Sequence, residues 1–598
     1  MLVAAGAGCV LAAAFWAVRR APPLPVSDRR PTVESSEGEA PAPSGAPTVD
    51  GGPFRFSEVR EGSGVDFVHT SGDSPERPFP AANGSGLAAF DYDLDGLADL
   101  YFLTGTQLPV DHSRLEPTNR CYRNLGDWKF VDVSALTGLA HNGFSAGVAV
   151  GDFDRDGFAD LFLNCYGPDR LFRNLGDGTF VDETESAGIN DSGWGTSAAF
   201  FDYDGDGLLD LFACNYAYWS LETNEWCGDR SRGVRIFCNP TTVEPAPSAL
   251  FRNSGDGTFR NALAEAGLDQ PVGRAQGIVA ADVNGDHLVD LYVANDLHPN
   301  FLFLNNGRGG FTDFSEASGA AHDYQGRNQA GMGVDIGDTN HDGLPELFVT
   351  NFEGEHNALY ANLGNATFQD VSRSHGLAAE SVPWVGWGTQ LVDLDLDGWL
   401  DVIVTNGHTD YNLKEMGRDS PYEQPPGLWR NERGRFRFVG GASAGDYFGS
   451  RHVGRGLAVA DFNDDGKPDV VIVHQNAPPA LLRNDGRRSG RGIRLRLVGI
   501  ESNRDAVGAE ITLSHGMGEV IVQQVKGGGS YASASDLRQI IACPEGTGDL
   551  TLQVVWPSGR KSTHVVTGGG YDFVIRELDQ RAAVPISSRA QMGAAHAP

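Results

Sequence analysis

Seven times along this chain of 598 residues the same acidic pattern returns, Asp-x-(Asp/Asn)-x-Asp-Gly-x-x-(Asp/Glu), at intervals of about 50 to 80 residues. In chain order the copies supply Asp91, Asp93, Asp95 and Asp99; Asp152, Asp154, Asp156 and Asp160; Asp202, Asp204, Asp206 and Asp210; and Asp282, Asn284, Asp286 and Asp290. Three more supply Asp338, Asn340, Asp342 and Glu346; Asp393, Asp395, Asp397 and Asp401; and Asp461, Asn463, Asp465 and Asp469. A plain Asp-Gly turn needs one acid and one glycine, not several acids at fixed odd positions. The chemistry that does need them is the capture of a hard cation. Calcium takes about six to eight oxygens at roughly 2.3–2.6 Å, so a short loop must turn several carboxylates inward at once. Position 7 can add its carbonyl, and the acid at position 9 can close the shell. Glycine at position 6 permits the positive φ of the turn; in the fourth copy His287 must adopt it instead. Magnesium demands a smaller octahedron and retains water, so the expected ion is Ca²⁺, up to seven per chain.

These loops require a scaffold, and the flanking residues describe it. Before each loop runs a segment of small apolar residues, such as Gly147 to Val150 or Gly277 to Ala281; after it comes a β-rich run, such as Leu100 to Leu103 or Val402 to Val404. Both read as buried strands. A Leu-x-x-Asn segment follows, ending at Asn174, Asn253, Asn305, Asn362 or Asn431, and then a glycine turn and a strand opening with Phe130, Phe180, Phe259, Phe311, Phe368 or Phe436. Four strands per unit is one propeller blade. The last unit ends at Asn484 with no phenylalanine strand after it, while an orphan strand of that type, Phe54 to Val59, precedes the array. The N-terminal strand is therefore expected to complete blade seven, removing the exposed edges of the ring.

The loops together with the Leu-x-x-Asn and Phe strands resemble FG-GAP (VCBS-type) repeats. Asn503 to Glu510, the turn Gly527 to Tyr531 and the run Val554 to Gly559 resemble the ASPIC/UnbV module that follows such propellers in the cartilage acidic protein-like family. Where members of that family carry a Phe-Gly-Leu-Gly-like segment, this chain has Ile541 to Glu545. The resemblance implies an all-β chain: a seven-bladed β-propeller with calcium-binding hairpin loops over 53–490, then a small all-β C-terminal domain over 491–578, with a flexible tail at 579–598.

Residues 1–20 are mostly apolar and end in Arg19 and Arg20, reading as a signal peptide or membrane anchor, and the Pro-, Ser- and Glu-rich stretch 21–52 as a disordered linker. The chain has 79 acidic residues against 46 basic ones, a formal charge of −33, and 25 of the acids stand at the ligand positions of the seven loops. Such a surface disfavours nucleic acid. Cys227 and Cys238 bracket a polar insertion in blade three and read as a disulfide, in keeping with a secreted, periplasmic or cell-surface location; no histidine lies near enough in sequence to favour a metal pair.

A second set of polar residues follows the second strand of the blades: Thr104, Asn164, Asn215, Asn295, Asn351, Asn406 and His474, joined by Asp296, His298, His356, His408 and Asn476. Being past the second strand, they belong at the end of the propeller opposite the metal loops, around the axial funnel. They have two readings, caps for strand-end backbone groups or a polyvalent ligand site. No phosphate loop or nucleotide fingerprint is present. The expected protein is a non-enzymatic, secreted or membrane-tethered calcium scaffold that binds an extracellular protein or polysaccharide. A glycan-binding lectin and an enzyme or biosynthetic accessory protein using the funnel are the alternatives.

Overall fold

A computed structural model describes residues 53–579 apart from residue 115 and segments 515–519, 545–549 and 567–570. The apolar N-terminal segment, the linker and all but the first residue of the tail lie outside the described residues. Each repeat folds as a four-stranded antiparallel sheet; in blade one it is Leu87–Phe90, Asp99–Phe102, Arg120–Asn124 and Phe130–Asp132, paired in that order. Seven such sheets stand around an axis, each inner strand packed on the next, with Gly454–Ala460 of blade seven closing on Leu87–Phe90 of blade one. The closure is the expected one: Phe56–Glu58 pairs antiparallel with Ala480–Asn484, Phe56 opposite Asn484.

The small residues of the inner strands have a steric reason. A Cβ on Gly147 would stand 1.8 Å from the Thr196 carbonyl oxygen of the next blade, and one on Gly277 would stand 2.2 Å from that of Met332. Neighbouring inner strands thus touch backbone to backbone, a spacing only glycine permits.

The C-terminal domain has two sheets. Gly490–Val498 lies between Gln539–Pro544, antiparallel to it, and Asp572–Arg576, parallel to it. The second sheet runs Val520–Gln524, Glu510–Ser514, Leu550–Val555 and Lys561–Val566. Its buried Ile493, Leu495, Ile511 and Trp556 belong to one apolar cluster with Phe200, Ile278 and Val289 of the propeller.

Between the two sheets the chain leaves the domain and enters the propeller channel. Gly527–Gly528 adds to the inner strand of blade four, opposite Ala280 and Val279. Ser530 accepts from Val334 N and its Oγ donates to the Leu457 carbonyl; Ala532 N donates to Ser197 Oγ, and its carbonyl accepts from Val148 N. Ala534 bridges to Ala88, and Ser535 Oγ donates to Gln390 Oε1 at 3.0 Å. Every blade therefore touches this segment.

The other end is closed from the N-terminal side by the short turn Phe79–Ala82, whose Phe79 packs on Trp194 and Tyr216. The two closures meet where the Tyr531 hydroxyl donates to the Asn83 carbonyl at 3.3 Å. Beside them Arg455 is fully buried, its Nη2 donating to the Ala82 carbonyl at 3.0 Å and its guanidinium 4.2 Å from the Trp387 ring centre; burial lowers its pKa to about 10.

The blade-three insertion forms a small hairpin, Cys227–Asp229 with Val234–Ile236, closed by a Cys227–Cys238 disulfide. Phe237 N donates to Asp410 Oδ1 at 3.0 Å, Asn412 Nδ2 to the Arg235 carbonyl at 2.8 Å and Asn224 Nδ2 to the Glu76 carbonyl at 2.7 Å. The insertion is thereby tied to blade six and to the segment before the Phe79 turn. A bridge across 11 positions removes about 3 kcal/mol of unfolded-chain entropy. Replacing both cysteines by serine should accelerate proteolysis within 224–240 and leave the propeller's cooperative unfolding intact; peptide mapping after limited digestion reads it directly.

Candidate metal centres

The acidic loops join the first and second strands of each blade, and all seven share one backbone trap. Position 1 places Oδ2 on the N–H of position 6, at 2.9 Å in Asp91 to Gly96 and 2.8 Å in Asp152 to Gly157. Position 9 is fully buried in most copies and accepts twice; Asp99 takes Asn124 N at 2.7 Å and Tyr92 N at 3.2 Å. Position 6 has positive φ throughout, and His287 takes the left-handed conformation expected of it, at φ 65°. Position 4 is left-handed as well, at Leu94, Arg155, His341, Leu396 and Asp464, a requirement the repeat shows only as Gly205 and Gly285 in two copies.

Carboxylate oxygens within 4.8 Å of one another gather in four loops, at Asp91, Asp93 and Asp99; Asp152, Asp154 and Asp160; Asp202, Asp204 and Asp206; and Asp393, Asp395 and Asp401. These are the copies with aspartate at position 3. Asp282, Asp286 and Asp290, Asp338, Asp342 and Glu346, and Asp461, Asp465 and Asp469 surround an asparagine at that position. Asn340 Nδ2 donates to Glu346 Oε1 at 3.0 Å.

Two observations mark the tighter loops as places that could hold a cation. Asp91 Oδ1, Asp152 Oδ1 and Asp395 Oδ1 are buried with no hydrogen-bond donor, although unmet buried charge is costly. Burial also raises Asp91 and Asp202 to about 6 and Asp152 to about 8, and pushes Asp160, Asp393 and Asp401 well up. Packing many carboxylates out of water without positive charge is what lifts them.

Arginines supply part of that charge. Arg123 Nε lies 2.6 Å from Asp93, Arg252 Nη2 2.5 Å from Asp204, and Arg430 2.9 and 2.8 Å from Asp395 and Asp397. Each guanidinium contacts Oδ2, and Asp395 Oδ1 remains buried without a partner.

The asparagine of Leu-x-x-Asn has a role that its type alone did not disclose. Asn253 Nδ2 donates to the Leu209 carbonyl in its own loop and to the Phe153 carbonyl at position 2 of the preceding loop, at 3.1 and 2.9 Å. Asn305 does the same with Val289 and Tyr203, and Asn124 reaches back to Phe462, so these side chains staple each metal loop to the one before it around the ring.

The second polar set lies at the opposite end, and its side chains turn to backbone. Asn164 Nδ2 donates to the Cys214 and Ser197 carbonyls, Asn215 to Pro247, Asn295 to Pro299, Asn351 to His356 and Asn406 to Pro425. Thr104 Oγ1 donates to the Thr70 carbonyl. His356 faces Asp370 at 2.8 Å, and His408 accepts from Asp410 N at 2.9 Å. His474 sits between the Tyr447 hydroxyl and the Pro478 carbonyl, with burial lowering its pKa to about 3. Asp296 accepts from the Tyr216 hydroxyl at 2.7 Å, Asn476 Oδ1 from Ser71 N at 2.7 Å, and His298 is half-buried opposite Gln329. The amide nitrogens of Asn164, Asn215, Asn295 and Asn351 are held by backbone carbonyls, while Oδ1 of each is buried without a hydrogen-bond partner, and the chain's own Phe79–Asn83 and Gly527–Ser535 segments lie along the axis.

Closed ring, acidic loops and inserted second domain define an all-β propeller of acidic-loop repeats carrying a C-terminal module. The chain carries FG-GAP-like repeats over residues 91–163, 156–213, 282–349 and 338–404, and an ASPIC and UnbV domain over 499–582. It is related in sequence to cartilage acidic protein 1, at 24% identity to the Homo sapiens protein over 347 residues and 25% to the Xenopus tropicalis protein over 338. Those alignments cover 57% and 56% of this chain; it spans about half the length of the curated relatives it matches, 49% in each case. Among solved structures it is similar to the BP39L lectin from Burkholderia pseudomallei at 10% identity and a TM-score of 0.42, over 68% of this chain and 97% of that one.

Proposed function

We propose that this protein is a non-enzymatic, calcium-loaded propeller scaffold, exported to a calcium-rich compartment, that binds an extracellular protein or polysaccharide. The observation that carries the metal reading is the set of buried, partnerless oxygens on Asp91, Asp152 and Asp395, each facing further carboxylates. Calcium bound there would supply the missing positive charge and tie the ends of the first two strands together. Positions 1, 3, 5 and 9 would hold it through oxygen, and position 6 would shape the loop.

The partner surface is assigned to the face opposite the metal loops. Tyr218 and Tyr411 are each 62% exposed there, Tyr411 with the buried Arg77 guanidinium 4.1 Å from its ring centre. Rigid aromatic groups fixed at their base suit contact with either a sugar ring or a protein loop. Native mass spectrometry in calcium should count at least four ions per chain, with Asp206→Ala lowering the count by one. Tyr218→Ala with Tyr411→Ala should cut retention on a glycan array or a partner at least tenfold with the ion count unchanged. Failure of the first result removes the calcium reading, and failure of the second removes the assigned face.

A further inference from the structure

The seventh loop departs from the other six. It alone has an acid at position 4, Asp464, and a basic residue at position 7, Lys467. Both departures are used against the C-terminal domain or against the loop itself. Arg494, on Gly490–Val498, is 2% exposed; its Nη2 donates to Asp464 Oδ1 and Asp572 Oδ2 at 2.8 Å each, and its Nη1 lies 3.5 Å from Asp461 Oδ2. Lys467 Nζ donates to the Asn484 carbonyl and lies 3.5 Å from Asp465 Oδ2. The backbone is engaged too. Arg488 Nη2 donates to the Asp465 carbonyl at 2.7 Å, the Tyr571 hydroxyl to the Asp464 carbonyl at 3.1 Å, and a Cβ on Gly492 would stand 2.1 Å from the Gly466 carbonyl oxygen.

The four converging carboxylate groups exclude this loop. Asp461 accepts from Asp465 N and Gly466 N, as Asp393 does from Asp397 N and Gly398 N, but the seventh loop has Asn463 at position 3 where the sixth has Asp395. Other loops also have an arginine beside them, but only here does the loop itself carry an ammonium, that of Lys467 3.5 Å from Asp465 Oδ2, in addition to the buried Arg494, and like charges at such separations repel strongly out of water.

We propose that the seventh loop is a latch rather than a metal site: its acids grip Arg494 and so fasten the C-terminal domain to the propeller, and it takes no calcium. The proposal rests on the reading that other loops hold calcium, and the two can fail separately. Buried ion pairs of this kind hold parts in register more than they add stability, and removing one partner leaves the other uncompensated.

The test uses the full chain, with native mass spectrometry for ions and hydrogen exchange for the amides of Gly490–Val498. Asp461→Asn should leave the wild-type ion count unchanged and speed exchange in that strand at least tenfold, whereas Asp206→Ala should lower the count by one. Should Asp461→Asn fail to fold, Asn463→Ala removes the position 3 ligand more gently and should also leave the count unchanged. A count lower by one in either seventh-loop variant overturns the proposal, as does unaltered exchange in Asp461→Asn, or in Asp464→Asn where that variant does not fold. If no variant or wild-type chain binds ions, the calcium reading alone falls and the exchange result still decides the latch.

Discussion

EDTA should lower the melting temperature of this protein by about 10 °C at pH 8. Four occupied sites, each held at about a hundred times its dissociation constant, contribute roughly 2.7 kcal/mol apiece, or about 11 kcal/mol if they are lost together. An unfolding entropy near 2.1 cal/mol/K per residue over roughly 530 residues converts that into about 10 °C. The drop should shrink on acidification. Asp91 and Asp202 are raised by burial to about 6, and Asp290 to about 8, from an ordinary value of 3.8. A raised folded-state value means that, without metal, their contribution is complete below the unfolded value and is lost as pH rises through about 6 to 8. The metal-free chain is thus firmer near pH 5 than near pH 8, while the loaded chain loses ions toward acid because binding requires the carboxylates. Scanning calorimetry with and without EDTA at the two pH values checks this; a curve unmoved at pH 8 would remove the structural role of the ions.

Tyr531→Ala should destabilise the protein by about 3–5 kcal/mol, the usual range for deleting a large buried aromatic. Tyr531 is 1% exposed, packs 4.9 Å from Trp387 centre to centre and bonds to the Asn83 carbonyl, so its loss leaves a void on the axis between the two closures. Tyr531→Phe keeps the ring and should cost only about 1 kcal/mol. Urea unfolding of the two variants separates them; equal losses would mean that the hydroxyl, not the ring, is what matters at the axis.

The repeat made the ring legible. Period, loop chemistry and the orphan strand at Phe56 were enough to place four strands per blade and to close blade seven on the N-terminus, because each of those features is local in sequence. The acids that converge in four of the loops were legible for the same reason. What stayed hidden depends on contacts hundreds of residues apart. Asn253 reads as a turn residue until its second carbonyl partner, Phe153, is seen in the neighbouring blade. Asn164 and His474 read as equally suited to ligand or backbone, and only the fold shows Asn164 Nδ2 on the Cys214 carbonyl and His474 Nδ1 on that of Pro478. The Gly527 to Tyr531 turn marked the C-terminal module by resemblance, but nothing in its composition revealed that it would run down the propeller axis.

That closing pair of strands sets a timetable for synthesis. Phe56–Glu58 emerges early and has no partner until Ala480–Asn484 has been made, so the ring must wait open through the translation of all seven repeats. The axial segment Gly527–Ser535 emerges later still, when the channel it fills is already assembled or assembling. A ribosome halted before Asn484 would hold a chain with an unpaired strand edge at one end and an empty bore at the other, the kind of intermediate that aggregates. For this protein the dangerous interval is therefore the synthesis of the last repeat, when nearly all blades exist and Ala480–Asn484 has not yet locked them.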